Sequence, residues 1–65
     1  MKHIVIFEIG RFHETADITR VFSSMKKAVV CIPKGFKEIK IAGYDYYAED
    51  KRRNKWLRLQ QYKVE

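Results

Sequence analysis

Cysteine, proline and glycine are all scarce in this 65-residue chain: Cys31 and Pro33 are each the only one of their kind, and Gly10, Gly35 and Gly43 are the three glycines. A lone thiol cannot close an intrachain disulfide. That excludes the cross-linked scaffolds of small secreted domains and points to a reducing, cytoplasmic setting. Glycines this far apart cannot form a phosphate-cradling loop. Long hydrophobic runs are missing too. The opening run Ile4-Val5-Ile6-Phe7 stops at Glu8 after four residues, short of the roughly 7–15 of a signal segment. No stretch approaches the ~20 apolar residues of a membrane span, so no membrane association is expected.

Catalytic and metal-binding groups are also sparse. The soft ligands His3, His13 and Cys31 lack the paired spacing of a zinc site, so no metal is expected and His3 reads as a strand-face residue. Cys31 falls late in an apolar helical stretch, where a buried, inert thiol is the expectation. Ser23 and Ser24 are better used as helix caps than as nucleophiles. The carboxylate pairs Glu14/Asp17 and Glu49/Asp50 fall in polar segments that read as loops, where solvation keeps carboxylates ordinary. The sequence therefore predicts a non-enzymatic protein without a cofactor.

What is abundant is charge and aromatic surface: 34% of residues are charged, 14% aromatic, and the net charge is +6. Residues 1–50 hold eight basic against seven acidic residues. Residues 51–65 hold Lys51, Arg52, Arg53, Lys55, Arg58 and Lys63 against Glu65 alone. Nearly all the excess thus lies in the last fifteen residues, either as a solubilising segment or as a footprint for a polyanion or an acidic protein face.

Residues 2–9 read as a strand with His3, Val5, Phe7 and Ile9 on one face and Ile4 and Ile6 on the other. Apolar residues on both faces suggest a central strand. Residues 11–17 read as a loop, and 18–22 as a lead-in or a short additional strand. Ser23 or Ser24 can cap a helix whose stripe is Met25, Ala28, Val29 and Ile32, with Lys26 and Lys27 outside and Pro33 as its stop. Val30 and Cys31 fall off that stripe, as further core or as a contact surface. A strand is expected over 36–42 with Ile39 and Ile41 inward, a bulge at Gly43, an extended Tyr44–Tyr47 stretch, a charged turn at 48–55 and a last strand from Lys55 to Glu65. The fold class is α+β: a single β-α-β-β domain with a sheet of three, or with 18–22 four, strands and one short helix on one face. A domain this small often gains stability by pairing with a copy or a partner, so a homo-oligomer or complex is expected.

This layout resembles a set of small phage and bacterial proteins. The resemblance is carried by His3-Ile4-Val5-Ile6-Phe7, by Val21-Phe22-Ser23-Ser24 leading into Lys27-Ala28, and by Pro33 and Gly35-Phe36. It covers about half the chain, implies a compact β-α-β-β domain and brings no catalytic residues. It also suggests an accessory protein that binds and redirects a host factor. The chain lacks an acidic helical extension that goes with the pattern, and its Lys/Arg-rich end is not part of it.

The candidate binding residues are Lys51, Arg52, Arg53, Lys55, Trp56, Arg58, Tyr62 and Tyr46, with Tyr44 and Tyr47 nearby. Cations interleaved with flat rings suit RNA or another single-stranded nucleic acid, phosphates meeting the cations and bases stacking on the rings. The rival expectation is an inhibitor or adaptor that docks the same basic hairpin on an acidic host or defence protein, its Ile4/Ile6 face buried by that partner or in a homodimer. Alternation puts Trp56, Arg58, Gln60 and Tyr62 on one face of the last strand and Leu57 and Leu59 on the other. If the leucines meet the helix, the aromatic set forms an exposed platform. The need of a small core for aromatic area favours the opposite arrangement.

Overall fold

A computed structural model describes residues 2–64. Strands β1 (Lys2–Arg11) and β2 (Ala16–Phe22) are followed by helix α1 (Met25–Val30) and strands β3 (Lys37–Glu38), β4 (Tyr46–Asp50) and β5 (Lys55–Val64). The strands make one sheet in the order β2-β1-β5-β4-β3, and every neighbouring pair is antiparallel. The class is α+β, with five strands rather than three or four.

β1 is central, paired with β2 on one side and β5 on the other. This is why both of its faces are apolar. Val5, Phe7 and Ile9 face α1 and are buried; Ile4 and Ile6 lie on the opposite, uncovered face and are half-buried. β2 begins at Ala16, inside the stretch expected to be a loop. It is an edge strand with only Ala16 and Phe22 partly buried, so it has little apolar alternation to read.

In α1 the Ser24 hydroxyl accepts the Lys27 backbone N–H at 3.2 Å, an N-cap that Ser23 does not provide. Ala28 is buried, and Met25 and Ile32 pack against the core. Val29, expected inside, is exposed, and so are Val30 at 80% and Cys31, which corrects the expectation of a buried thiol.

The expected 36–42 strand is only Lys37–Glu38 plus one further bond, the Ile39 N–H donating to the Tyr47 carbonyl at 2.8 Å. Ile41 is exposed rather than inward. Gly43 sits in a turn at φ +93° rather than in a bulge. The expected charged turn at 48–55 is shorter, because Ala48 and Asp50 belong to β4 and only 51–54 turn.

Leu57 and Leu59 are fully buried, lying opposite Ile9 and Phe7 across the β1–β5 ladder. With Val5, Ala28 and Ala48 they complete the core, and Phe22 meets Phe7 edge-on at 5.6 Å. The leucines therefore face the helix, and Trp56, Arg58, Gln60 and Tyr62 lie on the open face. No helix among the described residues is long and apolar enough to cross a membrane.

Candidate nucleic-acid interface

Strand register arranges the open face in cross-sheet rows. One row runs Thr19, Glu8, Arg58, Tyr47; the next, toward the β4–β5 turn, runs Gly10, Trp56, Glu49. Glu8 and Arg58, fifty residues apart in sequence, are thus direct neighbours. One Glu8 oxygen accepts from both Arg58 Nε at 3.2 Å and a terminal nitrogen at 2.7 Å. The guanidinium also lies 5.4 Å from the Trp56 ring centre and 5.5 Å from that of Tyr44, within cation–π range of both. Hydrogen bonding to Glu8 raises the Arg58 pKa further. Its charge is already engaged, so it organises the rings.

Trp56 is fixed in place. Its indole N–H donates to the carbonyls of Arg11 at 2.8 Å and Glu14 at 3.3 Å. Its ring lies across Gly10, where a Cβ would come within 2.7 Å of the indole. Only glycine leaves room for it. Tyr44 and Tyr47 stack at 5.7 Å, and the Tyr47 hydroxyl donates to Glu49 at 2.9 Å. Burial, aided by that bond, pushes the Tyr47 phenol up to about 12. A connected layer of Trp56, Arg58, Tyr44 and Tyr47 results.

The basic turn adjoins this layer. Asp50, 3% exposed, accepts the Arg53 backbone N–H at 3.3 Å and lies 3.5 Å from Arg53 Nε. It is a buried strand-end residue that shapes the turn, not the solvated loop carboxylate expected from sequence. Gly35 packs on it at φ +103°, where a Cβ would approach the carboxylate to 2.7 Å. Asn54 completes the turn at φ +59°, its N–H donating to the Lys51 carbonyl. Lys51, Arg52 and Arg53 project into solvent, with Lys55 half-buried beside them. Lys55 lies directly opposite Arg11 in the β1–β5 ladder. On its other side Lys55 lies opposite Asp50, so the row runs Arg11, Lys55, Asp50 on the helix side of the sheet. Sequence reasoning missed Arg11 because β1 was expected to end at residue 9.

Six of the eight candidate residues therefore gather at one end of the sheet: Lys51, Arg52, Arg53, Lys55, Trp56 and Arg58. Tyr46 does not join them, because it packs against the core on the helix side. Tyr62 shares the face of Trp56 and Arg58 but lies six residues, roughly 20 Å, along β5 from Trp56. The cleft beside the turn, on the Gly35 side, mixes Lys37, Lys51, Arg52 and Arg53 with Glu38, Glu49 and Asp50. That balance makes it no dedicated anion pocket. Among the described residues, no three His, Cys, Asp or Glu side chains gather closely enough to hold a metal ion.

Compared with known proteins, the chain matches no family model, no curated protein and no solved structure.

Proposed function

We propose that this is a non-enzymatic protein that binds single-stranded RNA, or another flexible polyanion, at the β4–β5 end of its sheet. The observation that carries the reading is the continuity of an exposed cationic turn with a fixed aromatic layer. Lys51, Arg52, Arg53 and Lys55 meet phosphates, while the half-buried Trp56 and the exposed Tyr44 offer ring surface to bases. Arg58 supports the rings instead of taking a phosphate. The rival reading, docking of the same turn on an acidic protein, shares the cations and can bury the same rings, so a nuclease-split pull-down has to separate the two.

The test is fluorescence anisotropy with a labelled, unstructured single-stranded RNA, comparing the native chain with Lys51→Glu/Arg52→Glu. Reversing two charges should weaken binding by at least tenfold, about 1.4 kcal/mol. Native protein that fails to bind at low salt overturns the reading. A pull-down from lysate, split with and without nuclease, separates the rival: a partner lost with nuclease is nucleic acid, and one retained is protein.

A further inference from the structure

The open face is divided. At the turn end it covers itself with Trp56, Arg58, Tyr44, Tyr47 and their carboxylate partners. At the other end apolar side chains meet water. Val21 lies beside Ile6, Ile4 beside Tyr62, and Val64 beside Lys2 across the ladders. Val21 is 62% exposed, Tyr62 51% and Val64 41%. Among the described residues, Lys2 is the one charge in these ladder pairs, and the Asp45 carboxylate stands at their edge, accepting the Gln61 N–H at 2.7 Å.

The surface area also points to something missing. The chain exposes 5065 Å², whereas a compact monomer of 7.8 kDa exposes roughly 4,400 Å². The surplus of about 700 Å² is spread over an elongated molecule of 39 × 22 × 21 Å, and it approaches the ~800 Å² that each partner contributes to a standard interface. Charge decides the occupant. The cations of the turn stand about 20 Å or more along β5 from Tyr62. Two copies meeting through their apolar ends keep those turns apart, whereas meeting through the turn ends opposes them. An acidic partner is drawn to the turn, and among the described residues of this patch a nucleic acid finds Lys2 alone for a phosphate. A second copy fits a patch with so little charge of its own, and a two-fold contact needs only one self-complementary surface.

We infer that the Ile4/Ile6/Val21/Tyr62 end of the open face is the contact of a symmetric homodimer, with a basic turn at each far end. Such a dimer presents two cationic sites to one strand, so a strand long enough to reach both gains avidity over a short one. The dimer itself does not rest on the nucleic-acid reading.

Sedimentation velocity over roughly 1–200 µM tests it, since mass action favours dimer as concentration rises. The native chain should move from 7.8 kDa to twice that mass. Val21→Glu and Tyr62→Glu should remain monomeric throughout, with unchanged circular dichroism. Ile18→Glu, on the same strand as Val21 but facing the helix side, should still dimerise. If Val21→Glu loses its fold, Tyr62→Glu near the exposed end of β5 gives the same reading. A native chain still monomeric at the highest concentration overturns the inference. So does a dimer that survives both Val21→Glu and Tyr62→Glu, or one that Ile18→Glu alone dissolves, which would move the contact to the helix face.

Discussion

Arg58 is where the sequence pattern and the geometry assign different work, and replacing it with alanine separates the two. As a phosphate ligand it would contribute to affinity and little to stability. In the structure it bonds twice to Glu8 and lies between Trp56 and Tyr44. Each ring contact is worth roughly 0.5–1 kcal/mol. The Glu8 pair, still partly solvated, adds at most about 1. Arg58→Ala should therefore cost about 2 kcal/mol, a large part of the roughly 3–10 kcal/mol available to a 65-residue domain. At about 4–8 °C per kcal/mol, Tm should fall by roughly 10 °C. Arg58→Lys keeps the charge but not the planar fork, and should lose about half as much. Urea unfolding followed by the fluorescence of Trp56, the only tryptophan, gives the stability, and a double-mutant cycle with Glu8→Gln isolates the pair. The reasoning is refuted if Arg58→Ala costs under ~0.5 kcal/mol while the salt slope of binding drops by about 0.7, the signature of one lost phosphate contact.

Gly10→Ala puts a methyl 2.7 Å from both the Thr15 carbonyl and the Trp56 ring; it should destabilise the fold and shift Trp56 emission, and normal emission at full stability would contradict the placement of the indole. Asp50→Ala leaves the Arg53 N–H without its acceptor and should cost about 1–2 kcal/mol in urea unfolding, an effect that surface truncation would not give. Folded Tyr47 keeps its proton to about pH 12, while the unfolded phenol releases it near 10.0. Its contribution to stability is thus intact below pH 10.0 and is lost as pH rises toward 12. Subtracting the ultraviolet titration of Tyr47→Phe from that of the native chain should leave a phenolate step near 12; a step at 10 would contradict both the burial of the Tyr47 phenol and its bond to Glu49.

Some of this was legible from residue order. Apolar residues on both faces of 4–9 marked a central strand, and β1 is paired on both sides. The cap–stripe–proline pattern placed the helix within a residue or two. β2 was obscure because an edge strand buries too little to leave a period-2 trace. The inward face of β5 was undetermined from alternation alone, and the demand for aromatic area pointed the wrong way. Two leucines and Ala48 fill the core on the helix side of the sheet, and Gly10 gives the Trp56 ring a seat on the other face. The basic turn was visible as a run of charge. Its neighbours Arg11 and Glu8, brought in by pairing across more than forty residues, were not.

The most direct test of the central claim is the salt dependence of single-stranded RNA binding, read by quenching of Trp56. With about four phosphate contacts, log K against log salt should be linear with a slope near −3, and saturation should quench the indole. Binding that ignores salt, or that leaves Trp56 fluorescence unchanged, would contradict a site built from the basic turn and its aromatic layer.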